Sequence, residues 1–118
     1  MSEQELKDRF KKWAIEVVLF TRMFPKTEEA YVIKRQLIRS STSSAANYRA
    51  ACRGKSPADF INKLRIVEEE LDESMFWIEF ISDLEPNLKE SIAPLHKEAN
   101  ELLSIVVASI KTIKNKIK

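Results

Sequence analysis

The chain has 118 residues, 44% of them hydrophobic and 32% charged, with one glycine, four prolines and a formal net charge of +2. That length suits one domain with its own core, the composition suits amphipathic helices, and a single cysteine excludes a disulfide framework. No apolar run approaches the ~20 residues that span a bilayer, the polar start Met1-Ser2-Glu3-Gln4-Glu5 does not read as a signal peptide, and so small a net charge does not by itself imply a nucleic-acid partner.

The first helix is expected over about 2–23. Leu6, Phe10, Trp13, Val17, Phe20 and Phe24 recur at spacings of four and three, the seam of a bundle helix. Pro25 stops it, and Thr27 with Glu28 and Glu29 restarts the chain as an N-cap with an acidic first turn. The second helix, about 28–53, has Ile33, Leu37, Ser40, Ser44, Tyr48 and Ala51 as its seam. The small residues from Ser40 to Ala46 mark a place where another helix comes close, and Gly54 is the natural residue just past the end.

The third helix, about 57–84, opens on Ser56 as N-cap, Pro57 in the first turn and Asp59 behind it. Its seam is Phe60, Leu64, Val67, Leu71, Ser74, Ile78 and Ile81. The fourth, about 88–116, opens on a capping-box pattern, Asn87 to Glu90. Ile92, Leu95, Ala99, Leu102, Val106, Ile110 and Ile113 follow as its seam. Pro94 either kinks this helix near residue 90 or delays its start to about Ser91. Four seams with short connections predict an all-α, up-down-up-down antiparallel four-helix bundle in one domain, 1–118.

Charge is distributed unevenly. Residues 26–55 carry seven basic and two acidic side chains, whereas 56–85 carry two and nine. On the second helix Arg35, Arg39, Arg49 and Arg53 fall within an arc of about 80°. Guanidinium groups at such intervals suit a phosphate backbone. The competing expectation is that they are solvated or paired with the acidic third helix. On that third helix Ile66, Phe76, Trp77 and Phe80 make a second apolar face, which predicts a subunit interface; the alternative is a wide core contact with Trp77 at its edge.

Motifs for chemistry are lacking. His96 is the only histidine, and no Glu-x-x-His pair accompanies it, so neither a metal site nor any other cofactor is expected. Cys52 reads as a small buried hydrophobe, and one lone cysteine suits a reducing cytoplasm. No glycine-rich phosphate loop or nucleophile elbow appears, and no small-molecule substrate is implied. Glu68-Glu69-Glu70 reads as a solvated charge run. Lys111, Lys114, Lys116 and Lys118 suit a helix C-terminus and, less directly, a nucleic-acid or membrane-surface contact.

Several stretches carry a family likeness: Gln36-Leu37-Ile38-Arg39-Ser40, Ala46-Asn47-Tyr48-Arg49 and Ser56-Pro57-Ala58-Asp59-Phe60-Ile61-Asn62-Lys63-Leu64. Glu70, Glu73, Trp77 and Phe24-Pro25 add to it. Over nearly its whole length the chain resembles the four-helix bundle proteins encoded in intervening sequences of bacterial large-subunit ribosomal RNA genes. Ala50 departs from the family pattern, which usually has a glutamate there. The resemblance implies a homopentameric ring. It extends to a relative, the accessory variability determinant of diversity-generating retroelements, a basic pentameric barrel that binds reverse transcriptase and nucleic acid. Asn47, Arg49, Asp59, Lys63, Glu70 and Glu73 match the polar positions of the family pattern, and could form a network linking the second and third helices. The expectation is a non-enzymatic oligomeric module contacting RNA, or a protein that processes it, through the arginine stripe. The alternative is a purely structural assembly protein that binds another protein.

Overall fold

A computed structural model describes residues 1–117. Its main helices are α1 (Glu3–Phe20), α2 (Glu28–Ala51), α3 (Pro57–Leu84) and α4 (Lys89–Lys116). Single 3-10 turns, Thr21–Met23 and Pro86–Leu88, follow α1 and precede α4. Among the described residues there is no strand.

Three helix starts are capped by side chains. Ser2, Thr27 and Ser56 accept the backbone N–H of Glu5, Ala30 and Asp59 respectively, each satisfying an amide that the first turn leaves without an intrahelical partner. The fourth start differs from the expectation. Leu88, already in helical conformation, occupies the cap position of α4 without a side-chain hydrogen bond. Asn87 is taken into the 3-10 turn, so the Asn87–Glu90 capping box does not form. Helix α4 begins at Lys89 and continues through Pro94, so the later start near Ser91 is not adopted. Pro94 is exposed, which leaves the Glu90 carbonyl that it cannot serve open to water.

Gly54 also departs from expectation. Helix α2 stops at Ala51, two residues short of the expected end, and no described residue has a positive φ. Glycine is favoured here by close approach. A Cβ would stand 3.0 Å from the Ala51 carbonyl oxygen and 3.3 Å from the Phe60 backbone nitrogen.

Consecutive helices pack against one another and α1 meets α4, closing a bundle of 49 × 21 × 20 Å. The core is built from the expected seams, with Phe10, Trp13, Leu37, Leu64, Leu71, Ile78, Ile81, Ile92 and Leu102 almost fully enclosed. Burying each such side chain stabilises the fold by ~1.5–3 kcal/mol before the entropy of ordering is subtracted. In the first turn of α3 the seam is Ile61; Phe60 is only half-buried. Helices α2 and α3 pack most extensively. At their contact Ser40 and Ser74 share a buried hydroxyl–hydroxyl hydrogen bond of 2.8 Å. Small side chains let the helices approach; Ser74 donates its one proton to the Glu70 carbonyl at 2.9 Å, which leaves Ser40 to donate to Ser74, with the Leu37 carbonyl as its longer alternative at 3.3 Å.

Helix α1, at 18 residues, is ten shorter than α3 and α4. Its seam with α4 is the least extensive of the four. It is held at its centre, where the buried Trp13 donates its indole N–H to the Leu95 carbonyl at 2.9 Å.

Candidate functional site

The four arginines of α2 share an arc, but their environments differ. Arg39 leans toward α3. Its Nη1 donates to Glu70 at 2.9 Å and its Nη2 donates to Glu73. Glu73 also accepts the indole N–H of Trp77 at 3.1 Å. Partial burial works against the Glu73 carboxylate, but the bonds from Arg39 and Trp77 outweigh it and hold its pKa below the ordinary value. The same pairing with Glu73 raises the pKa of Arg39 against the effect of burial.

Arg35 lies over the ring of Tyr31, 5.7 Å from its centroid. Arg49 leans the other way, toward α1. With Arg53 it lines a groove of about 500 Å³ that also receives Lys7 and Lys11 from α1, over a floor of Ala45 and Ala46. Asp8, the carboxylate in that lining, is engaged by the Gln4 amide at 2.9 Å. The physical reason for the split is angular. Arg39 and Arg49 sit about 40° to either side of Arg35 and Arg53, enough to send long side chains into opposite grooves.

Of the six polar positions suggested by the family pattern, Glu70 and Glu73 are brought together, on Arg39. Asn47 donates within its own helix to the Ser43 carbonyl at 2.9 Å. Arg49, Asp59 and Lys63 are exposed. Asp59 contributes its backbone N–H to the Ser56 cap. The carboxylate–guanidinium cluster is therefore centred on Arg39, not Arg49.

A second cluster of the same design joins α1 to α4, and sequence pattern alone did not single it out. Arg9 grips Glu98 through Nε at 2.6 Å and Nη2 at 2.7 Å, and reaches Glu101 as well. In both clusters one arginine spans two glutamates three residues apart on the neighbouring helix, a spacing that places both carboxylates on one face. The i, i+3 glutamate pair is visible in sequence. Which arginine stands opposite depends on helix register.

The rings of Phe76, Trp77 and Phe80 form a cluster on the outside of α3. Phe76 and Trp77 meet edge to face at 4.9 Å, Phe76 and Phe80 lie 5.9 Å apart, and Trp77 and Phe80 lie 6.0 Å apart. Phe76 is 52% exposed and Phe80 44%. Ile66 is exposed further along the same helix. Only Trp77 reaches the core edge. Because Trp77 bonds Glu73, and Glu73 bonds Arg39, the cluster sits on the α2–α3 side of the bundle.

His96 Nε2 lies 2.8 Å from a Glu79 carboxylate oxygen in a shallow α3–α4 groove. Among the described residues no group of three or more histidine, cysteine, aspartate or glutamate side chains is placed to hold a metal ion. Cys52 is half-buried, and burial raises its thiol pKa, which lowers the reactive thiolate fraction. Lys111, Lys114 and Lys116 are exposed on the last turns of α4; Lys118 lies outside the described residues. No described helix is long and apolar enough to cross a membrane.

A family model described as 23S rRNA-intervening sequence protein matches residues 3–108. A crystal structure of a protein with unknown function, from the S23 ribosomal protein family of Bacteroides thetaiotaomicron, superposes with a TM-score of 0.84 at 30% identity. The match covers 94% of this chain and 99% of that one. No curated protein matches the chain.

Proposed function

The chain belongs to the 23S rRNA-intervening sequence protein family, and from that premise we propose that it is a non-enzymatic module that works as a homo-oligomer. The observation that carries this reading is the exposed Phe76, Trp77 and Phe80 cluster on α3. Three large rings in mutual contact on a surface are costly to hydrate and suit a protein interface. Five copies in a ring is the arrangement that the sequence resemblance implies, and it is the number proposed. That resemblance also supplies the setting, the bacterial cytoplasm, which a single cysteine suits.

RNA is the partner class that the family description and the retroelement likeness bring in. Arg35, Arg49 and Arg53 are the α2 arginines available for it, since Arg39 is engaged by Glu70 and Glu73. That engagement favours a second reading, a structural assembly protein whose charges serve its own packing.

Native mass spectrometry on protein purified without nuclease separates these readings. A fivefold mass carrying nucleic acid supports the ring and the RNA contact. A clean pentamer supports the structural reading, and a clean monomer overturns the argument from the aromatic cluster.

A further inference from the structure

The aromatic cluster is one exposed apolar feature beside α2. On the opposite side of that helix, Ile15, Val18 and Leu19 of α1 line a groove of about 410 Å³ with Ala45 of α2 beside them. Ile15 is 49% exposed and Leu19 47%. The lining carries two cations, Lys11 and Arg22, and no carboxylate. The surroundings of the aromatic cluster have the opposite sign, with Glu69, Asp72 and Asp83 exposed on the outer arc of α3.

The two features are neighbours in height near the middle of the bundle. Phe10 stacks on Tyr48 at 4.8 Å. Nine residues along each antiparallel helix from that stack, Leu19 comes level with Arg39, because both helices rise ~1.5 Å per residue. Arg39 in turn bonds Glu73, one turn from Phe76 and Trp77. Ile15 and Val18 lie on one side of that level and Phe76 to Phe80 on the other, so two neighbouring copies bring the patches fully opposite each other through a tilt of their axes that takes up about one turn.

We propose that the α3 aromatic cluster of one copy docks in the α1–α2 groove of the next, forming a head-to-tail interface between copies of this chain. This rests on the self-association proposed above and adds which faces meet. Because the two faces differ, the contact repeats around a ring and does not stop at a dimer. They occupy adjacent sides of a four-helix bundle, about 90° apart, close to the ~108° that closes a ring of five. The corner between those sides is α2, which consequently faces the ring axis. Arg35 and Arg53, eighteen residues and five turns apart, share one angular position on its outer face and line the opening.

Complementation between two damaged chains tests this pairing. Phe76→Glu removes the aromatic face and leaves the groove; Leu19→Glu removes the groove and leaves the aromatic face. Both positions are exposed, and circular dichroism checks that each variant folds, with Ile15→Glu as a second groove variant. Native mass spectrometry should show each variant alone as a monomer. An equimolar mixture should give a discrete dimer of twice the chain mass, because one intact interface remains per pair. A mixture that stays monomeric, or a Leu19→Glu protein that assembles like the unaltered chain, overturns the pairing. If the unaltered chain is itself monomeric, the self-association reading falls, and the pairing falls with it.

Discussion

Arg39 donates to Glu70 across the α2–α3 groove at 2.9 Å while its other terminal nitrogen holds Glu73. The pair is about half exposed on the arginine side, so its worth is that of a surface network rather than a buried ion pair. Arg39→Gln should destabilise the fold by ~0.5–1 kcal/mol near neutral pH, and less in high salt. The pH dependence follows from Glu73, whose pKa is depressed in the folded chain. Its contribution is fully present above the unfolded value and is lost as pH falls through the folded one. Urea titrations of the two proteins should therefore converge only as pH falls below the ordinary carboxylate range.

The Ser40–Ser74 bond predicts an asymmetry between deletion and enlargement. Replacing both serines with alanine removes donor and acceptor together and should be close to neutral. Ser40→Leu should cost ~1–3 kcal/mol, because the closely packed α2–α3 contact has no space for it. Urea midpoints for the three proteins would show this order, and a tolerated leucine would mean the helices are not held as close as the serine bond indicates.

Trp13 and Trp77 are the two tryptophans, one enclosed in the core and one at its edge. Trp13→Phe should lose ~1 kcal/mol through the missing bond to the Leu95 carbonyl. It should also remove the blue-shifted, quencher-resistant part of the fluorescence. The emission left behind reports on Trp77 alone. Its access to acrylamide should fall as protein concentration rises, if copies associate through α3.

Gly54→Ala should destabilise the protein by ~1 kcal/mol through the clash with the Ala51 carbonyl and the Phe60 amide. Gly54→Asn distinguishes this cause from a left-handed backbone. Asparagine tolerates left-handed geometry but carries the same Cβ, so it should be no better than alanine. A clear rescue by asparagine would contradict the geometry of this turn.

Much of the fold was legible because helix seams and stop signals are local. Thr27 and Ser56 each precede acidic residues in a first turn, and the seam of α2 is buried at every expected position. Asn87 misled because a capping-box pattern is equally compatible with a preceding 3-10 turn, and Pro86 selects that turn. The candidate site was less legible for a different reason. An arc of arginines is a property of one helix, whereas the carboxylates each of them finds depend on how two helices are aligned. Arg39 and Arg49 look equivalent in projection, yet only Arg39 meets glutamates. Arg9 drew no attention for the same reason, since its partners Glu98 and Glu101 lie some ninety residues away in sequence. The aromatic face needed no partner helix to be recognised, because a second apolar stripe on α3 exceeds what one bundle core can use.

The slender contact between α1 and α4 bears on the order in which the molecule comes apart. Helix α1 is short, and its bond from Trp13 to Leu95 and its ion pairs from Arg9 supply the polar links along that seam. Native-state amide exchange should reveal an opening in which α1 releases while the α2–α3 hairpin, the most extensively packed pair, keeps its protection. The protons of α1 should then share one exchange free energy below that of global unfolding. A protease nick near the exposed Lys26 would trap the released form.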